Sequence, residues 1–367
     1  PMAPFLDLVV MGDGENAMAA ILKLYKQLKR GGMRRRDMIH ELARRFEWIY
    51  APALYRADYR PDGTLSGTTP MHDDLPATVT RCQTPDFENA PFPVRPLVPY
   101  VEVIHDRISI EIMRGCPQRC RFCHAGYTKR PLGLRSVESI VEIAEQCWRH
   151  TGINEQGLLS LSTADYPALG ELARRINERF APRMVNISMP SLRVDKMLEN
   201  IPLMVNTVRK SGLTIAVEAA NDDLRAAIRK KVTDGRLHDG VRQAYKAGWR
   251  SVKLYFMAGF PGERPEDIEG IWHLSQEISN LRRELGKGPG KVNASVGWLV
   301  PKPFTPLQWA AQPRAEYFVE VRERLHELAR SRRSPVRIKT HSVQRSILEA
   351  VFARGDRRLA DVIERAW

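Results

Sequence analysis

Residues 107–123 read RISIEIMRGCPQRCRFC, a strand-like alternating stretch that runs straight into three cysteines spaced C-x-x-x-C-x-x-C. Five more strand-like segments follow it: GLLSLST (157–163), MVNISMP (184–190), GLTIAVE (212–218), SVKLYFMAGF (251–260) and VNASVGWLVP (292–301). Between them lie stretches of helical periodicity, among them SVESIVEIAEQCWRH (136–150), ALGELARRINERF (168–180) and RPEDIEGIWHLSQEISNLRREL (264–285). Strand and helix patterns alternating in this way predict a parallel barrel or a doubly wound sheet. In both architectures the active site lies at the C-terminal ends of the strands. The cysteine loop follows the first strand at that end, as do Ser162 to Asp165, Ser191 to Arg193, Glu218, Gly259 to Glu263, and Lys302.

The expected fold is α/β: a partial parallel (β/α)6 TIM-like barrel over residues 105–312. Residues 1–47 open with an apolar run, Gly12-Asp13-Gly14-Glu15 and a helical pattern, and read as the remnant of an N-terminal α/β domain. Residues 48–104 read as a hairpin around a Pro-Asp-Gly turn, then a Pro-, Thr- and Asp-rich linker. Residues 313–367 read as a C-terminal helical extension. Pro1 and a last segment that stops inside a helical pattern lead to the expectation that the natural protein extends beyond both ends.

The chain has 367 residues, 43% of them hydrophobic, which is enough to bury a large core. No apolar run approaches the roughly 18 residues of a membrane span, and the N-terminus lacks the order of a secretory signal. A cytoplasmic location is expected. The net charge of +14 comes from 57 basic and 43 acidic residues. Dense basic stretches occur at Arg34, Arg35, Arg36, Arg44 and Arg45, and at Arg330, Arg332, Arg333, Arg337 and Lys339. Such a field attracts RNA or another polyanion, and it is equally the mark of an Arg-rich solvated surface.

Five cysteines, three of them within eight positions, suit a metal or redox site in a reducing compartment better than a disulfide framework. Cys82 and Cys147 read as bystanders, Cys147 within an apolar helical pattern. Thiolates are soft ligands for zinc or iron-sulfur clusters. A closed structural zinc site takes four ligands, and a cubane held wholly by protein takes four cysteines. Three thiols with an open fourth position suit a metal centre that binds a further ligand directly. His124 is the nearest additional donor, but adjacent residues rarely reach one metal together.

The triplet with Phe122 before its last cysteine resembles the radical S-adenosylmethionine enzymes, over about residues 105–312. The resemblance implies that Cys116, Cys120 and Cys123 hold a [4Fe-4S] cluster whose fourth iron binds the amino and carboxylate groups of S-adenosylmethionine. It also implies one-electron reductive cleavage to methionine and a 5′-deoxyadenosyl radical, which abstracts hydrogen from a substrate not legible here. Phe122 is then cofactor-binding. Ser162, Thr163 and Asp165 stand where the family holds the methionine amino group, although the usual Gly-Gly-Glu is absent and Asp165 is also readable as a helix N-cap. Ser191 and Arg193 follow the third strand, where an arginine can pair with a carboxylate or simply precede a helix. Glu218 occupies the ribose position, and Gly259 and Gly262 in GFPGE allow close approach to adenine or form a plain turn.

Further echoes are GDGE, CRFC-x-AG, SLS-x-x-DY, KLYFM and VPKPFTPLQW (300–309), which resemble the subgroup with an N-terminal cobalamin-binding module. That subgroup commonly carries histidine where Phe304 stands. The Asp-x-His-x-x-Gly element of many cobalamin modules is absent, so cobalamin is expected only in an intact parent chain, where methyl transfer becomes open. The resemblance implies an electron donor of flavodoxin or ferredoxin type. The rival reading is a non-enzymatic metal- or Fe-S-binding module with a basic RNA-binding surface.

Overall fold

The protein is described here by a computed structural model, which covers residues 1–104, 107–188, 213–330 and 334–367. These divide into two units, one of residues 1–91 with 354–367 and one of residues 92–353. Among the described residues no helix is long and apolar enough to cross a membrane.

In the first unit, β1 (Val9–Val10) pairs antiparallel with β2 (Ile49–Tyr50). Two helices, Glu15–Arg30 and Arg35–Arg45, lie between them in sequence. The hairpin forms as β3 (Tyr55–Tyr59) and β4 (Leu65–Pro70). Asp62 closes its turn by accepting from the Thr64 N–H at 2.9 Å and hydroxyl at 2.7 Å. Leu42, Ala43, Ile49, Ala51, Tyr55 and Leu75 make a small separate core. The stretch read as a linker is partly docked: Cys82 bridges to Gly12, donating to Met11 O at 2.7 Å and accepting from Asp13 N at 2.9 Å. Gly12 has φ +116°, and a Cβ there would overlap the Cys82 carbonyl, so glycine is required for the crossing.

Among its described residues the second unit carries seven parallel strands. β5 (Ile108–Glu111) leads into a short antiparallel pair, β6 (Met113–Arg114) with β7 (Gly133–Leu134). β8 (Glu155–Leu159) lies parallel between β5 and β9 (Asn186–Ser188). β10 (Leu213–Glu218), β11 (Ser251–Ala258), β12 (Lys291–Trp298) and β13 (Val336–Thr340) form a four-stranded parallel sheet. All six strand-like segments thus carry strands of a partial parallel barrel. β13 is a correction, because it falls in the stretch read as helical extension. Its sequence VRIKT alternates only over five residues, and its exposed Arg337 and Lys339 read as part of a basic run.

Alternation sets the layers. Val252, Leu254, Phe256 and Ala258 of β11, and Val292, Ala294, Val296 and Trp298 of β12, are buried in one continuous core with helices Asp234–Lys246, Pro265–Glu284 and Ala315–Arg330. Helix Val137–Thr151 starts at Ser136, whose hydroxyl accepts from Ser139 N at 3.1 Å, and ends at Gly152 with φ +69°. Glu145 on this helix, its side chain 4% exposed, receives Arg149, Arg179 and Arg183, each at 2.8 Å. It thereby ties the helix to Leu169–Phe180 and the turn after it.

Candidate active site

The chain leaves β6 at Gly115, where φ is +87° and a Cβ would overlap the Lys129 carbonyl oxygen. Only glycine fits there, and the turn releases the cysteine loop at the C-terminal end of the first strand. Arg130 gathers that loop: Nε donates to Gly126 O at 2.8 Å, and a terminal nitrogen reaches Gln118 O at 3.3 Å. Arg121 donates from its main-chain N to Ile228 O at 2.9 Å and from its guanidinium to Ala227 O at 2.8 Å. From a third side Leu307, in VPKPFTPLQW, donates to Arg121 O at 3.3 Å.

Cys116, Cys120 and Cys123 are free, half-buried thiols that line one cavity of about 380 Å³. Its walls bring Phe122 and Gln118 of the loop together with Ser162 after β8, Glu218 at the end of β10, and Thr214 and Tyr255 on the sheet. Asp165 stands one layer behind, accepting from Ser162 Oγ at 2.6 Å and Gln118 Nε2 at 3.0 Å. Thr163 is fully buried and shares a hydrogen bond of 2.8 Å with Ser160 Oγ. Phe122 packs toward Phe260, ring centres 6.1 Å apart.

Glu218 sits at a bulge in the β10–β11 pairing with φ +72°, which turns it off the strand. Lys230 Nζ donates to its carboxylate at 3.1 Å, the two side chains being 15% and 14% exposed. That cation compensates a carboxylate that would be costly to bury alone. Arg225, fully buried, holds the intervening segment by donating to Ala219 O at 2.8 Å and pairing with Asp222 and Asp234.

Burial pushes the Cys116 and Cys120 thiols above the usual cysteine range, while the Gln118 N–H at Cys116 and Lys230 at Cys120 oppose it. A metal would deprotonate such thiols outright. Among the described residues no three His, Cys, Asp or Glu side chains converge on a single ion. Three thiols without a fourth cysteine in the loop fit a three-cysteine cluster better than a closed zinc site, which takes four ligands. Gly126 adds no side chain beside Cys123 Sγ.

The other expected residues divide. Gly259, φ +100°, packs against Phe318, whose Cε1 lies 2.8 Å from where a Cβ would stand, and its N–H donates to Glu263 at 2.6 Å. Gly262, φ +78°, has open space in front of its Cα. Neither is among the residues that line the cavity. Ser191 and Arg193 lie outside the described residues. Sequence reading missed Gln118, Lys230 and Tyr255. Lys230 sits in RKKVT, an apparent charge run, and reaches Glu218 only because helix Asp222–Ala227 brings the chain back after β10.

Residues 110–274 match the model of the radical SAM superfamily, and residues 1–52 match that of the N-terminal region of radical SAM proteins. An uncharacterized protein of Methanocaldococcus jannaschii is 30% identical over 70% of this chain and 53% of its own length. The ribosomal protein uS12 methylthiotransferase RimO of Microcystis aeruginosa is 29% identical over 47% of this chain and 40% of its own. The chain therefore spans about half or less of these relatives. Among solved structures, the cobalamin-dependent S-adenosylmethionine radical enzyme OxsB covers 80% of this chain and 44% of its own at 14% identity and TM-score 0.44. The radical S-adenosylmethionine methyltransferase TsrM of Kitasatospora setae covers 55% and 38% at 19% identity and TM-score 0.42. Likeness at that level fixes no function. The superfamily match spans the three-cysteine loop and the strand ends gathered around it, so residues 110–274 carry a domain of the radical S-adenosylmethionine superfamily.

Proposed function

We propose that the chain is a radical S-adenosylmethionine enzyme that uses the cysteine cavity to initiate radical chemistry on a separate substrate. The observation that carries this reading is the meeting of Cys116, Cys120 and Cys123 with Ser162, Glu218 and Lys230 around one cavity. When bound, the cluster and S-adenosylmethionine supply one-electron reductive cleavage to a 5′-deoxyadenosyl radical. The three cysteines would hold three of the cluster's irons and leave the fourth open. Ser162, braced by Asp165, accepts the methionine amino group, and Glu218, fixed by Lys230, accepts from ribose hydroxyls. Phe122, backed by Phe260, keeps water from one side.

Radical chemistry of this kind draws its electron from outside the enzyme, and a flavodoxin- or ferredoxin-like donor suits the role. The free thiols fit a reducing, cytoplasmic setting. The net charge of +14 supports an RNA or other polyanionic substrate. Methylation or another C–H functionalisation fits the reading.

The test is anaerobic reconstitution with iron and sulfide, reduction, and assay for 5′-deoxyadenosine. The nucleoside is expected from the parent chain and not from Cys120→Ala. A cluster that assembles without affinity for S-adenosylmethionine would establish the rival, a metal-binding module that only braces a basic surface.

A further inference from the structure

Among the described residues one face of the four-stranded sheet is buried, and the other is mostly polar and half-buried to exposed; it is the open face. In the parallel register Thr214 of β10 stands beside Lys253 of β11, Asn293 of β12 and Arg337 of β13. One row closer to the cysteine loop, Ala216, Tyr255, Ser295 and Lys339 are aligned. Registered residues of a parallel sheet point to the same side, and the residues between these rows are those of the buried core. Thr214, Ala216 and Tyr255 already line the cysteine cavity. The open face is therefore continuous with it.

Besides Lys291 at the N-terminal end of β12, three cations lie on this face. Lys253 Nζ sits 4.6 Å from the centre of the Tyr255 ring, and Arg337 and Lys339 are exposed on β13. None of the three forms an ion pair among the described residues. Strand spacing puts Lys253 and Arg337 about 10 Å apart at the backbone, and Arg337 and Lys339 about 7 Å apart. Charges so spread, with hydroxyl and amide groups of Thr214, Ser295 and Asn293 between them, suit successive phosphates better than one carboxylate. A duplex cannot enter a cavity of about 380 Å³, whereas a single strand can present one unstacked nucleotide to it.

We propose that the open face of β10–β13 binds the sugar-phosphate backbone of a single-stranded nucleic acid substrate through Lys253, Arg337 and Lys339, delivering a nucleotide to the cysteine cavity. This rests on the radical enzyme reading for its consequence, and the binding itself is measurable without turnover. The experiment is anisotropy of a labelled short single-stranded RNA with the reconstituted full chain across a salt series. Replacing all three cations, Lys253→Gln, Arg337→Gln and Lys339→Gln, is expected to weaken binding at least about tenfold and to flatten the log-log salt slope by about 2. Lys253→Arg with Arg337→Lys is expected to retain binding, and an unchanged melting temperature of the triple variant excludes misfolding. RNA binding equal in parent and triple variant overturns the proposal, as does an acidic peptide that competes as well as RNA. If the parent binds RNA through these cations yet makes no 5′-deoxyadenosine, the surface stands and the radical reading fails.

Discussion

Gly115 and Glu218 are both held at positive φ beside the cavity, for different reasons. At Gly115 the chain has no room for a side chain. At Glu218 a non-glycine residue is held in a costly conformation so that its carboxylate leaves the strand and meets Lys230, a local strain of about 1–3 kcal/mol. If the pair acts as one unit on S-adenosylmethionine, Lys230→Met and Glu218→Gln should each weaken its binding about tenfold. The double variant should then be little worse than either, measured by calorimetry on the reconstituted chain. Additive losses would mean that the two residues act separately.

At the scale of elements, Glu145 joins helix Val137–Thr151 to the segment that follows β8. Three arginines outweigh its burial and draw its carboxyl from 4.5 to about 2. The folded value lies below the unfolded one, so the stabilisation is complete above about pH 4.5 and disappears as pH falls toward 2. Its size is about 3 kcal/mol. Glu145→Gln should therefore lower the unfolding free energy by about that amount near neutrality, and denaturant titrations of the two proteins should converge in acid. A gap that persists at pH 2 would assign the effect to packing. β13, five residues with two exposed cations, becomes a strand only by pairing with β12.

For the whole molecule, the two units have separate apolar cores: the main core lies within residues 92–353 and the smaller one within the first unit. Every residue that lines the cysteine cavity lies in the second. A chain of residues 92–353 is accordingly expected to take up iron to the same stoichiometry as the full chain and to bind S-adenosylmethionine within about threefold of it. Failure to fold, seen as loss of a cooperative melt, would show that the small core supports the large one.

The alternating apolar segments were legible as six parallel strands because burial between helices demands continuous apolar residues at fixed spacing. The triplet of cysteines was legible because three thiols in eight positions have few other uses. Cys116, Cys120 and Cys123 stood out by their spacing and Ser162 and Glu218 by the family resemblance, and all five line one cavity. The partnership of Lys230 with Glu218, the brace from Gln118 to Asp165 and the alignment of Lys253 with Arg337 could not be read from the chain alone. Each joins residues separated by an intervening helix or strand, so it depends on register and chain reversal, which no local pattern encodes. The linear sequence determined which residue types stand at the strand ends, and the tertiary structure decided which of them face one another.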